Sequence, residues 1–393
     1  DHFETIASRF SPRDEAWMYY LRSPGHGGDY RIRATGNSGE SSQAMIHVRS
    51  LDQLRQPVDE VGTMWPRRWP LGEDWSPGKT RQTLQHDAPS SPVDAERVAW
   101  WTSQDDASLW RHLPDAECPR AHYVNVHQGC PGCGTAIFAH HGYYPWTRIH
   151  APADLRSTCP SCATLFPSND LLAEDFTSGD FVDDGFGYFD DDGHVFLFSA
   201  SSRRELVSHY TSTIRLLDDN LRLNGPDLDA SRQLGLMLLR WSMEEVYVAA
   251  APQFRHGPSQ EIERPWDGGQ PDWAGMADPI ASLHRKGSLA YAIDVPIVTE
   301  VLARAYDTVW PQLRTDDEWI ARARAQGLQL ADPAAGIQLI EEALACLMQT
   351  AIDGAALSNK PRTSLGVLTA LQALDRDDAT QVMDWLYDRG PDR

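Results

Sequence analysis

No stretch of this sequence holds the ~18 consecutive apolar residues that a membrane-spanning helix requires, so no segment reads as a transmembrane span. Cysteine is scarce, with 6 residues in 393, which excludes a disulfide scaffold. Positive charge is also in short supply: 35 Lys and Arg face 56 Asp and Glu, giving a formal net charge of −21. Such an acidic surface repels phosphate backbones and disfavours general nucleic-acid or anionic-membrane binding, although it leaves room for a local basic groove. There is no phosphate loop, no GxSxG elbow and no HExxH pair. The opening Asp1-His2-Phe3-Glu4 is not a signal peptide and lacks a starting Met, as a mature or trimmed form would. Fixed-period repeats and low-complexity tracts are absent.

What is present divides the chain into three. The sequence is 41% hydrophobic, enough for a sizeable core, and its length suits one large domain or two smaller ones. Residues 1–117 read as irregular, with short helices expected at 12–22, 50–56 and 94–102 and a loop or hairpin over Gly25 to Ser42. Pro57, Pro66, Pro70, Pro77, Pro89 and Pro92 exclude long helices between them. Residues 118–200 carry the paired cysteines and an acidic, Gly-rich stretch, with a short strand expected at Val195 to Phe198. Residues 201–393 read as helical. Val298, Val301, Leu302, Ala305, Tyr306 and Val309 share one helix face, with Asp294 as its N-cap. Thr315-Asp316-Asp317-Glu318 is a capping box, and Asp332-Pro333 opens a helix striped by Ile337, Ile340, Leu344, Leu347 and Ile352. Leu365, Leu368, Leu371 and Leu374 form another stripe, and Val382, Met383 and Leu386 end the series. Further helices are expected at 203–220 and 230–250, which together make a helical bundle or a helix-pair toroid.

The strongest local signal is Cys130-Pro-Gly-Cys133-Gly followed, after 25 residues, by Cys159-Pro-Ser-Cys162. Two cysteines three apart on a tight turn direct both thiolates at one ion, and two such turns complete a tetrahedral shell. Two disulfides or four free thiols are the competing readings. If zinc is bound, four sulfurs leave no open position, so the ion is structural.

Leu165-Phe-Pro-Ser-Asn-Asp170 and Val182-Asp-Asp-Gly-Phe-Gly-Tyr188, downstream of the CPxCG and CPxC turns, resemble the "LFPSND" and "VDDGxGY" motifs of heparinase II/III-like polysaccharide lyases. Leu302-Ala-Arg-Ala-Tyr-Asp307 resembles that family's "LAxAYD" helix, and Met383-Asp-Trp-Leu386 its "LDWL" helix. The resemblance covers roughly residues 120 to 393. It implies a mainly α fold: an incomplete (α/α) toroid with an irregular N-terminal region and a four-cysteine zinc-ribbon insertion. It also implies β-elimination at C4 of a uronic acid. That chemistry removes a C5 proton α to a carboxylate, so a neutral or cationic side chain must stabilise the developing charge. A Tyr or His base takes the proton, and an acid protonates the leaving oxygen.

The family's "CNYGMHQ"-like loop corresponds to Ser358-Asn-Lys-Pro-Arg-Thr-Ser364, which places Asn359 at the carboxylate-neutralising position and Arg362 or Lys360 as cationic help. Thr363 stands where the family has His, and Asn359 reads equally well as a turn or capping residue. The family's catalytic Tyr lies in a "GSPGY"-like segment beyond the LDWL helix, and this chain stops at Arg393. The resemblance therefore implies either one piece of a longer or cleaved protein, with a β-sandwich part on the rest or on a second chain, or a chain without the usual base. Tyr188, Tyr210, Tyr291 and Tyr306 are the candidates within it.

Other residues carry double readings. Arg203, Arg204 and His209 suit either contact with an acidic sugar or an exposed helix face. Trp65, Trp69 and Trp75, with Arg67 and Arg68, suit sugar stacking or pinning of a long loop. Asp183, Asp184, Asp190, Asp191 and Asp192 read as a solvated acidic loop rather than a calcium site. His127, His140 and His141 lie near the cysteines as outer-shell or surface groups. The expected protein is a lyase acting on an acidic polysaccharide or oligosaccharide, secreted or periplasmic as the family suggests. The alternative is a non-catalytic glycan-binding or scaffold protein that keeps the zinc.

Overall fold

The structure, a computed structural model, describes residues 7–11, 16–20, 28–35, 41–48, 93–113, 121, 123–142, 145–148, 154–185, 187–250, 294–352, 358–359, 361–374, 382–384 and 386. The fold is mainly helical and toroid-like, and among the described residues no helix is long and apolar enough to cross a membrane. The chain begins with two antiparallel hairpins: β1 (Ala7–Ser11) with β2 (Ala16–Tyr20), and β3 (Gly28–Thr35) with β4 (Ser41–Val48). Within the helix expected over 12–22, the described residues 16–20 form a strand. Trp17, Tyr19 and Tyr20 are residue types that favour a pleated surface, and that preference prevails over a helical reading. The hairpin expectation for the Gly/Ser-rich segment holds, and the helix expected at 50–56 lies outside the described residues.

Helix α1 (Ala95–Thr102) forms where expected because Asp94 Oδ1 accepts from Arg97 N–H at 3.1 Å. It is followed by α2 (Asp106–His112), whose N-cap Asp105 accepts from Ser108 N–H at 2.7 Å. Both pack on the later helices: Trp101, Leu109 and Leu113 belong to the main core, and Arg240 Nη2 donates to Leu113 O at 3.0 Å.

A short α3 (Ala136–His141) belongs to the cysteine segment. The helical body comprises α4 (Phe198–Asn224), α5 (Leu228–Ala250), α6 (Val295–Leu313), α7 (Asp317–Ala325), α8 (Pro333–Ile352) and α9 (Arg362–Leu374). Helix α6 lies at the centre, packed on α4, α5, α8 and α9. All six residues of its expected stripe are buried. Asp294 precedes it without capping it through its side chain. Asp316 caps α7 by accepting from Glu318 N–H and also accepts from Nε and Nη2 of Arg232 from α5, at 2.7 and 3.0 Å. Asp332 accepts from Ala335 N–H at the start of α8.

Two glycines make room for one tryptophan. A Cβ at Gly235 of α5 would sit 2.7 Å from Trp319 Nε1, and one at Gly336 of α8 would sit 2.7 Å from Trp319 Cη2. Trp319 of α7 is fully buried between them. Helix α9 buries a different face from the one expected. Leu371 and Leu374 are buried, but Leu365 is 44% exposed, and the helix also buries Thr363, Gly366, Val367, Ala370 and Ala373. Leucines three apart drift by about 60° per step around a helix of 3.6 residues per turn, so one end of the row leaves the core. Gly366 marks the close approach: its Cβ would lie 2.5 Å from Pro296 O.

Candidate metal centre

The cysteine segment folds around small strands and tight turns. Strands β5 (Thr147–Arg148), β6 (Ser157–Thr158) and β7 (Leu165–Phe166) form an antiparallel sheet in that order, and α3 follows the first cysteine turn. Each CPxC turn closes in the same way. Gly134 N–H donates to Cys130 O at 2.8 Å, and Ala163 N–H donates to Cys159 O at 2.9 Å. Both donors are left-handed, Gly134 at φ 69° and Ala163 at φ 59°. Glycine takes that conformation without strain, whereas alanine accepts a steric penalty to repeat the turn.

The two turns bring four sulfurs together, all within 4.8 Å of one another. Cys130 Sγ lies 3.8 Å from Cys162 Sγ, and Cys133 Sγ lies 3.7 Å from Cys159 Sγ. A disulfide would need about 2.05 Å. Zinc at ~2.3 Å from each sulfur of a tetrahedron requires edges of about 3.8 Å, and these separations match it. Gly132 N–H points at Cys130 Sγ at 3.3 Å, and Thr164 Oγ1 lies 3.3 Å from Cys162 Sγ; both groups can donate to thiolates. Burial pushes the Cys130 thiol well up and the Cys133 thiol up to about 11. At Cys162 burial opposes ionisation, but hydrogen bonding with Thr164, Cys159 and Cys130 together outweighs it and brings the thiol down to about 7. Crowded sulfurs ionise together only with a cation between them, so the donor set fits a structural zinc. His127, His140 and His141 are exposed and stand outside this group.

A compact aromatic core ties the centre to the helices. Cys130 and Cys159 pack with Val124, Ile137, Trp146, Phe166, Phe196 and Phe198. Phe198 is the first residue of α4, and its ring stacks on Phe166 at 4.7 Å with planes 7° apart. Trp146 meets Phe198 edge-on at 5.1 Å. Ser157 and Ser202 hydroxyls meet at 2.9 Å, joining β6 to the first turns of α4. Asn125 also anchors the segment: it donates to Val195 O and accepts from His127 and Gln128 N–H.

The LFPSND and VDDGFGY motifs serve the same junction. Asn169 is fully buried; it donates to Asp175 O and Asp183 O and accepts from Asp183 N–H. Asp183, also fully buried, accepts from Gly185 and Gly187 N–H on Oδ1 and from Ser199 N–H on Oδ2, at 2.8 to 2.9 Å. Its carboxylate therefore occupies the N-terminus of α4, where unpaired amides and the helix dipole favour negative charge. The acidic stretch expected to be solvated is thus split. Asp183 and Asp184 are buried, while Asp191 and Asp192 are exposed in the turn between β8 (Tyr188–Phe189) and β9 (Val195–Phe196). In that turn Asp190 Oδ2 pairs with His194 Nδ1 at 2.9 Å, and Asp190, Asp192 and His194 form a second, open group of potential ligands.

The other candidates fall in three places. Trp65 and Trp69 lie outside the described residues, as do Trp75, Lys360 and Tyr291. His209 turns inward, with its ring 5.6 Å from Trp101 and 6.0 Å from His112. Arg203, Arg204, Asn359 and Arg362 occur at helix starts. Arg203 lies over Gly185, where a Cβ would be 3.4 Å from its Nη1. Arg204 pairs with Glu205 at 2.6 Å. Asn359 is exposed and accepts from Arg362 N–H through its backbone carbonyl, at 2.8 Å, while buried Thr363 accepts from Ser358 N–H. At Asp294 burial pushes the carboxyl up, Arg204 and Arg362 pull it down, and Glu205 pushes it up. Residues far apart in sequence, on α4 and α9, thus act on one carboxylate at the start of α6. No protein-family model, curated protein or solved structure matches the chain.

Proposed function

We propose that this protein is a zinc-stapled helical module that binds an acidic glycan, in a non-catalytic or scaffolding role, at the end of the body where α4, α6 and α9 begin. The observation that carries the reading is that Arg204 of α4 and Arg362 of α9 both act electrostatically on the buried Asp294 at the start of α6. Guanidinium forks pair with carboxylates in two-point contacts, so uronate groups are the chemistry such a cluster recognises. In a chain of net charge −21, Arg204 and Arg362 would supply the local positive charge that directs where an anion docks. A secreted or periplasmic site suits that ligand.

Eliminative cleavage is the second reading. Asn359, exposed beside Arg362, supports it as the group that would neutralise a uronate. It needs a base, and Tyr210 and Tyr306 are both sealed from solvent. Tyr188 is half-buried against Phe181 and Phe196 in the zinc segment. This favours binding over chemistry for the described residues.

The test is incubation with a panel of uronate polysaccharides, with both binding and ultraviolet absorbance followed for the native chain, Arg204→Ala, Arg362→Ala and Asn359→Ala. Salt-sensitive binding lost in the arginine variants, with no absorbance change, is expected. Rising absorbance from an unsaturated uronate, lost in Asn359→Ala, would establish the lyase reading. Undiminished binding in both arginine variants would move the site elsewhere.

A further inference from the structure

We propose that the zinc centre is an oxidant-sensitive latch: peroxide joins Cys162 to Cys130 as a disulfide, expels the ion and loosens the first turns of α4. The four ligands are unequal. Cys130 and Cys159 are 2% and 0% exposed, Cys133 is half-buried, and Cys162 is the one exposed cysteine of the set. A small oxidant therefore reaches one sulfur first. Once that sulfur is oxidised, Cys130 Sγ stands 3.8 Å away on the other turn. Cys133 and Cys159 Sγ lie 3.7 Å from each other.

The chemistry balances with hydrogen peroxide as oxidant. The Cys162 thiolate attacks one peroxide oxygen; the S–O bond forms, the O–O bond breaks and hydroxide leaves, so sulfur is oxidised by two electrons and peroxide reduced by two. The Cys130 thiolate then attacks the Cys162 sulfur; the S–S bond forms, the S–O bond breaks and a second hydroxide leaves. With Cys130 and Cys162 joined, only the Cys133 and Cys159 thiolates would remain to hold an ion.

The consequence reaches α4 through contacts already in place. Cys130 and Cys159 share a core with Phe166 and Phe198, and Ser157, two residues before Cys159, holds Ser202. Arg203 and Arg204 follow directly on that serine. Release of the ion removes the anchor of the sheet against which the start of α4 is packed. The inference rests on the zinc centre alone and stands or falls independently of the glycan reading.

The test treats the zinc-loaded full chain with hydrogen peroxide. Zinc release is followed with a chromogenic indicator, the disulfide is mapped by peptide mass spectrometry, and amide exchange is followed across residues 199–206. Expected are one equivalent of zinc released per chain, a Cys130–Cys162 bond, and faster exchange in that segment, all reversed by a thiol reductant with added zinc. Cys162→His keeps a zinc ligand without a thiol, and its zinc release should be slower by about tenfold or more. Cys346→Ser, outside the centre, should behave as the native chain. Zinc retained while methionines oxidise, a Cys159–Cys162 bond in place of the cross-turn bond, or equal zinc loss from Cys162→His would each overturn the proposal.

Discussion

Phe198 stacks face to face on Phe166, 4.7 Å away and 7° from parallel. One ring follows the second cysteine turn and the other begins the longest described helix, so metal binding and helix packing share a core. Truncating either ring removes a stacked partner and leaves a cavity. Phe198→Ala should cost about 3–5 kcal/mol in unfolding free energy. Urea denaturation checks this, and the same variant should bind zinc more weakly, because the sheet holding Cys159 loses its backing.

Metal content should be one zinc per chain, lost in Cys159→Ala. A ligand held at a thousandfold above its dissociation constant stabilises the folded state by about 4 kcal/mol. Chelation should therefore lower the thermal midpoint of the native chain and leave that of Cys159→Ala unchanged.

Zinc affinity should fall with acid. Burial raises the Cys130 and Cys133 thiols, so at neutral pH zinc must displace their protons. Cys162, brought down to about 7, adds a further proton below that pH, so the loss of affinity should steepen there. The sign is fixed: protons compete with the ion, and affinity rises with pH until the thiols ionise unaided. A competition titration against an indicator at several pH values checks this.

Asp183→Asn should destabilise the start of α4 despite its equal volume. The carboxylate accepts from three buried amides, and an Asn side chain must turn its NH2 towards at least one of them. Loss of a charge-assisted bond together with a buried donor left facing a donor costs roughly 2–4 kcal/mol. Amide exchange at Ser199 and Ala200 should accelerate more than exchange in α8.

Gly336→Ala should cost about 1–3 kcal/mol, since the added methyl meets Trp319 and Ile320 at 2.7 Å. Leu365→Ala, on the exposed side of α9, should stay within about 0.5 kcal/mol. Paired denaturation curves would separate the two.

The cysteine turns, the α6 stripe, the capping stretch over Thr315 to Glu318 and the helix start at Asp332 were legible in sequence because each is a local pattern. Spacing places the sulfurs, and a short polar side chain ahead of an apolar run satisfies the first amides. The face of α9 was not legible, because its close approach to α6 depends on the absence of a side chain at Gly366 rather than on the presence of leucines. Nor was the role of Asn169 and Asp183. Acidic and amide residues among glycines read as a solvated loop until the fold places helix amides over them. The joint action of Arg204 and Arg362 on Asp294 has no local signature, since the three residues come from separate helix ends.

Helix α4 begins inside the aromatic stack and not after a linker. A cut near residue 200 would leave Phe198 on one fragment and Ser202 on the other, splitting one interior between two chains. Neither piece would then possess a finished surface, and each would present apolar rings to water. Dissection by truncation is therefore the wrong tool for this protein. Its parts are better separated by removing the ion, which leaves the covalent chain whole.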